Sequence, residues 1–304
     1  MAEYLLVKES QIALFKNTPF YYQNGAGEYV IYKKKGERLD ENRLSKIKYP
    51  DLYIFDADKD AAITELMTSL NNDLQAKIKG GDLKDVRQTL AVIMTEALPP
   101  SQPESMNTLP ETIDILMGHC SKKDGTLKYL SQIASHSSLL IEHTVNITAL
   151  TLHFCFFHRL SESDTRQLAM AAMLHDAGCA KLDNRLIESD KRLTDEQFKV
   201  YSTHPQLGHD LIILNSDFDI AVPTVALEHH ERIDGSGYPN GRRRITSYAQ
   251  LIGLIDCYES LAYRWKKYRK TKKPFHALHL IKEEVMAGKF SKEIFKQFTS
   301  CLKK

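Results

Sequence analysis

The sequence predicts an α+β chain in which a small mixed or β-rich N-terminal unit precedes a larger all-helical bundle. Three observations carry this. Short runs rich in Tyr, Phe, Val and Ile, with a glycine-bearing loop between two of them, end near residue 57. From Ala61 the apolar spacing takes the three- and four-residue period of helices. Beyond residue 107 strand signals are weak, whereas helix caps and stops recur. With 304 residues, 42% hydrophobic and 26% charged, the chain has length for two domains and a globular composition, outside the disordered and collagen-like classes.

Tyr4 to Val7, Phe20 to Tyr22, Glu28 to Tyr32 and Leu52 to Phe55 are the strand candidates, and Asn24-Gly25-Ala26-Gly27 is the loop of the central hairpin. A short polar helix is expected around Glu41 to Lys46. Asp56, Asp58 and Asp60 read as a solvated turn before a helix, because the glycine and distal glutamate of a calcium loop are absent. Ile63, Leu66, Met67, Leu70 and Leu74 form one helical stripe and Leu83, Val86, Leu90, Ile93 and Met94 another, divided at Gly80-Gly81. The tract Pro99-Pro100-Ser101-Gln102-Pro103 stops the second. The expected division is an N-terminal unit over 1–60, a helical linker over 61–106 and a helical domain over 107–304.

Within that domain, helices are predicted over about 128–158 and 163–175, with Gly178 as a left-handed stop. Thr194 and Gln197 form a capping box for the next, which leads through His204-Pro205. Further helices follow over about 220–230, 247–268, 275–287 and 291–302. The most apolar long stretch, Leu139 to Phe157, contains Glu142, His143, Asn146 and His153, so no membrane span is expected. The first twenty residues show no signal-peptide pattern. Five scattered cysteines without a CxxC pair point to a reducing compartment, the cytoplasm. A net charge of +2 gives no expectation of extended nucleic-acid binding.

Histidine carries the chemical signal. All twelve lie between His119 and His279, and several interrupt apolar runs. His143 sits among Ile141, Val145, Ile147 and Leu150. His175-Asp176 closes the run Leu168 to Leu174, where an aspartate is costly unless paired or bound to a metal. His204 precedes Pro205, His229-His230 ends Val225 to Glu228, and Asp256 lies in the most apolar window of this half. Five imidazoles and two carboxylates without thiolates fit iron, manganese or zinc. Seven ligands exceed what one tetrahedral ion takes; two ions bridged by a carboxylate would use them all.

This ordered set resembles the metal-dependent HD phosphohydrolase superfamily. More narrowly, His229-His230-Glu231-Arg232-Ile233-Asp234-Gly235-Ser236-Gly237-Tyr238-Pro239 resembles the signature of HD-GYP domains, bacterial phosphodiesterases of cyclic di-GMP, and the likeness extends over about 128–302. The resemblance implies an all-α HD-type bundle for the second domain and two transition-metal ions per chain, iron or manganese first and zinc as the alternative. It implies one ion on His143, His175, Asp176 and Asp256 and a second on Asp176, His204, His229 and His230. Asp176, His175 and Asp256 are then the catalytic residues, and attack by a water between the ions would open cyclic di-GMP to linear pGpG, GMP or both. Asp234 and its neighbouring glycines are read as shaping the loop.

The sequence also departs from that pattern. Family members usually carry lysine three residues after the HD aspartate, where it can contact substrate phosphate; this chain has Cys179, with Lys181 two residues on. The basic run after Asp256 is shifted by about one place, and between Arg264 and Lys273 seven of ten residues are Lys or Arg. Cys179, Lys181, Arg264, Lys267 and Arg269 are therefore the candidate substrate contacts, Arg242 to Arg244 joining them in a positive rim for an anionic ligand. The departures keep two alternatives beside the phosphodiesterase: a weak or inactive module binding a cyclic dinucleotide or a protein signalling partner, and a metallophosphohydrolase for another nucleotide. The linker helices are read first as packing against the second domain, with signal transmission or a homodimer seam as the alternatives.

Overall fold

The computed structural model describes residues 4–37, 39, 50–98, 102–120, 139–264, 268 and 270–302. The polar helix expected at Glu41 to Lys46, the start of the helix expected from 128, and Lys266, Lys267 and Arg269 lie outside them. The chain divides into two compact units, Met1–Lys79 and Gly80–Lys304.

In the first unit, β1 (Tyr4–Leu6), β2 (Phe20–Gln23), β3 (Tyr29–Lys33) and β4 (Leu52–Phe55) form one sheet in the order β1-β4-β2-β3, every pairing antiparallel. Side chains alternate across β4: Leu52 and Ile54 are buried, while Tyr53 and Phe55 are half-buried on the other face. There Tyr4 stacks on Tyr29 with ring centroids 3.7 Å apart. Asp56–Asp58 forms a 3-10 turn that leads into α1 (Lys59–Gly80), whose buried Leu66, Met67, Leu70 and Leu74 follow the expected stripe. Glu65 on α1 accepts the backbone N–H groups of Lys16, Asn17 and Thr18 and so fastens the loop before β2.

The second unit contains α2 (Leu83–Ala97), α3 (Leu109–Cys120), α4 (Leu140–Phe157), α5 (Glu162–Leu174), the short α6 (Asn184–Ile187), α7 (Asp195–Tyr201), α8 (His204–Asn215), α9 (Ala221–Glu228), α10 (Ser247–Ala262), α11 (Pro274–Met286) and α12 (Lys292–Leu302). The helices expected to form one linker therefore fall into different units. α1 groups with the sheet and α2 with the bundle, and between them Gly81 adopts φ +79°, a left-handed turn open to glycine. The helix expected to run through His204-Pro205 is two helices. α7 begins with the expected Thr194–Gln197 capping box and ends before Pro205, whose ring is accommodated in the first turn of α8.

α4 is the centre of the bundle. Ile147, Leu150, Phe154 and Cys155 pack with Leu168, Ala171 and Ala172 of α5 and with Ile252, Ile255 and Tyr258 of α10 in one buried cluster. By length and composition α4 passes as a membrane-crossing helix, but 67% of it is buried inside the protein. Its apolarity is that of a core helix enclosed by its neighbours.

Two glycines set the distances on which the site depends. A Cβ on Gly178 would stand 2.0 Å from the His204 carbonyl oxygen and 2.4 Å from the Gly208 nitrogen, and one on Gly253 would stand 2.1 Å from the His229 carbonyl oxygen. Only residues without side chains let these backbones meet. Gly178→Ala is expected to cost about 3 kcal/mol, or roughly 6–12 °C in melting temperature for a unit of this size. A calorimetric scan within 2 °C or so of wild type would refute the close approach.

Candidate metal centre

Five segments deliver the seven residues. His143 comes from the first turn of α4; His175 and Asp176 follow the last residue of α5; His204 opens α8; His229 and His230 follow α9; Asp256 lies on α10. His143, His175, Asp176, His204, His229 and Asp256 are buried, and His230 is half-buried. Ligand atoms of Asp176, His204, His229 and His230 all lie within 4.8 Å of one another, as do those of His143, His175 and Asp176. Asp176 belongs to both groups. Asp256 joins them from the side, with Oδ1 at 3.2 Å from His143 Nε2 and Oδ2 at 3.6 Å from His230 Nδ1.

Backbone hydrogen bonds decide which imidazole nitrogen faces inward. The Nδ1–H of His175 donates to Ala172 O at 2.8 Å, that of His204 to Tyr201 O at 2.8 Å, and that of His229 to Ala226 O at 2.9 Å. A neutral ring that donates through Nδ1 presents a lone pair at Nε2. These Nε2 atoms converge on Asp176, at 3.3 Å from Oδ2 for His175 and at 3.2 and 3.5 Å from Oδ1 for His204 and His229. His204 and His229 bring Nε2 to Nε2 at 3.4 Å. Lone pairs facing lone pairs and a carboxylate repel unless a cation or a proton stands between them.

The remaining polar accounting agrees. Among the described residues, His175 Nε2, Asp176 Oδ1 and His230 Nε2 are buried without a hydrogen-bond partner, a costly state for polar atoms that ligate nothing. Burial opposes charge on every group, yet His175, His204 and His229 hold Asp176 well below the usual carboxylate range. Burial also disfavours the imidazolium of His143, but Glu259 and Asp256 override it and push the ring up to about 9. His230 is held well below its ordinary value by burial and by His229 beside it, and His229 is lowered chiefly by burial. The cluster thus sets imidazoles held neutral, His229 and His230, beside buried carboxylates that draw positive charge, Asp176 and Asp256. That donor set fits divalent transition metals.

The loop after α9 closes one side of the centre. Glu231 accepts the backbone N–H groups of Asn240 and Arg242 at 2.8 and 2.9 Å, and Asp234 accepts Ser236 N and Oγ at 2.9 and 2.7 Å. Tyr238 stacks on His230 with centroids 4.5 Å apart. These contacts are those of a loop frame.

The candidate substrate contacts are distributed less simply. Cys179 is only 1% exposed, beneath the 3-10 turn Ala177–Lys181, and burial together with Asp176 pushes its thiol well above the ordinary value, so it is neutral. It presents no charge and almost no surface to a ligand. Lys181 is exposed at the end of that turn. Arg264 is 9% exposed with its Nε unpartnered among the described residues, and it lines a cleft of about 400 Å³ with Lys191, Arg192, Phe198, Tyr201 and Ser260. Arg242 is tied instead to Glu228 at 3.1 Å. Three residues escaped sequence reasoning: Glu259, Asn146 and Arg87, which stand behind His143. Their signal, a polar residue inside an apolar helix, was available for the first two.

An all-helical bundle whose His and Asp side chains converge from five segments defines a metal-centre protein of the HD type. The HD-domain family profile matches residues 128–294, and the chain belongs to the HD-domain family. It is 25% identical to the cyclic di-GMP phosphodiesterase PA4108 of Pseudomonas aeruginosa over 63% of this chain and 46% of that protein. With the cyclic di-GMP phosphodiesterase response regulator RpfG of Xanthomonas campestris it shares 28% identity over 65% of this chain and 48% of that one. The chain thus matches less than half the length of either. Among solved structures, Bd1817, a HDG"Y"P protein from Bdellovibrio bacteriovorus, superposes with a TM-score of 0.62 at 18% identity, covering 99% of this chain and 100% of that chain. That likeness is one of fold.

Proposed function

We propose that the chain is a dinuclear metal-dependent phosphodiesterase that opens a cyclic dinucleotide, cyclic di-GMP first, to linear pGpG, GMP or both. The observation that carries this is the convergence of the His175, His204 and His229 Nε2 lone pairs on the single carboxylate of Asp176. His143, His175, Asp176 and Asp256 would hold one ion, and Asp176, His204, His229 and His230 the other. Divalent ions held there would supply Lewis-acid charge to a phosphoryl oxygen and lower the pKa of an attacking water. The chain's own residues do the rest. Backbone carbonyls keep three rings in the ligating tautomer, the surrounding helices exclude bulk water, and Arg264 offers a cationic fork from the adjacent cleft to the substrate phosphate. The names of the relatives support the substrate class.

The test is anaerobic reconstitution with Fe(II) or Mn(II), metal quantification, and chromatography of the products from cyclic and linear dinucleotides. Two ions per chain and conversion of cyclic di-GMP are expected. A chain with no metal, or with one, would sink the dinuclear reading. A second reading, a module that binds the cyclic dinucleotide without turnover, is favoured by the neutral, buried Cys179 in the place of the usual lysine. Tight binding with no product at full metal occupancy would establish it.

A further inference from the structure

We infer that α2, which lies ahead of the matched HD segment, reaches the metal centre through a buried relay and sets how tightly the His143 side holds its ion; the inference rests on the metal-centre reading above. Arg87 on α2 is 5% exposed. Its Nη1 donates to Asn146 Oδ1 at 2.7 Å. Asn146 Nδ2 donates to Glu259 Oε1 at 2.5 Å, and Glu259 Oε2 accepts the Nδ1–H of His143. Asn146, His143 and Glu259 are all 2% exposed or less. Four side chains thus connect a helix outside the HD segment to a ligand at its heart.

Each link has one satisfying arrangement. An amide held between a guanidinium and a carboxylate must turn its oxygen to the first and its NH2 to the second. Both oxygens of Glu259 are then engaged, and the one facing His143 fixes that ring as the Nδ1–H tautomer, with Nε2 directed at Asp256 Oδ1 and Asp176 Oδ2, 3.2 and 3.7 Å away. A carboxylate behind a ligating histidine orients the ring and raises its basicity. The same guanidinium grips α4 itself: Arg87 pairs with the Glu142 carboxylate and donates to the Glu142 carbonyl at 3.3 Å. Arg87 is thus an anchor for the turn that carries His143.

The contrast with the other rings makes His143 the adjustable one. His175, His204 and His229 take their Nδ1 acceptors from the backbone three residues earlier, a partner supplied by local chain geometry. His143 takes its acceptor from a side chain 116 residues away in sequence. Displacing α2 or removing Arg87 therefore acts on this ligand and leaves the other three rings their partners. Arg87, Asn146 and Glu259 are positioning residues.

The experiment titrates the full chain with Mn(II) alone, counting free ion by electron paramagnetic resonance, for wild type, Arg87→Met and Asn146→Leu, with apo-protein melting measured beside it. Wild type is expected to bind two ions. Each variant is expected to keep one at wild-type affinity and to hold the other about 10–100-fold more weakly. Glu259→Gln, which preserves volume, carries the same expectation should the leucine variant fail to fold. Equal affinities in wild type and variants would overturn the relay. So would a parallel loss of both ions that tracks a fall in apo melting, because that is packing alone. A wild type that binds no Mn(II) would instead remove the metal-centre reading on which the inference stands.

Discussion

Asp176→Ala is expected to strip both ions from the chain and to lower cyclic di-GMP hydrolysis by at least about a thousandfold. The carboxylate is the one residue common to both ligand groups, so its loss removes a negative donor from each. Several kcal/mol of charge stabilisation at the phosphoryl group goes with it, and about 4 kcal/mol is already a thousandfold. The apo protein should not unfold. Asp176 is a buried anion whose removal also removes a desolvation cost, while the Nδ1 bonds of His175, His204 and His229 to backbone carbonyls are untouched. His230→Ala provides the contrast, since it takes one nitrogen from the second group only and should weaken chiefly that ion. Metal content by mass spectrometry, with product chromatography at matched protein, checks both. Two ions retained in Asp176→Ala would end its assignment as the bridge.

The residues of the candidate centre were legible because most of them broke a rule that their neighbours obeyed. Asp256 stood in an apolar helical run, and His175-Asp176 closed another; such residues are tolerated only with partners. The tautomers were not legible, since they depend on carbonyls brought into place by the ends of α5, α7 and α9. Glu259 lies one helical turn beyond Asp256 and broke the same rule, but its partner is 116 residues away and only packing reveals it. Arg87 gave no signal, because arginine on an amphipathic helix ordinarily faces water; here it is buried by α4. The four strands and most helices were readable from periodicity and caps. The unit boundary was displaced from the expected one because two consecutive amphipathic stripes say that each helix packs, and not against which partner.

Arg264→Gln is expected to lower kcat/KM for cyclic di-GMP by about 10–100-fold while both ions stay bound, as follows from losing a hydrogen bond between charged groups. The sequence left five residues competing for the role of the usual lysine, and the structure separates the three that lie among the described residues by what each can present. Cys179 is neutral and nearly without surface, so Cys179→Ala should change hydrolysis by no more than about threefold, a loss of packing and not of charge. Lys181 carries charge, but it is exposed at the end of the turn, where water screens it; Lys181→Ala should likewise have a small effect. Arg264 combines burial, an unpartnered Nε and a place on the cleft with Tyr201, whose ring packs 4.7 Å from that of His204. Its attraction to an incoming phosphate is therefore little screened, and among the described residues its Nε has no hydrogen-bond partner to give up. Steady-state kinetics of the three variants at equal metal occupancy distinguish the candidates. A collapse in Lys181→Ala beside an unaffected Arg264→Gln would move the phosphate contact to the turn. Unchanged turnover in all three would leave substrate charge to be met by the metals alone.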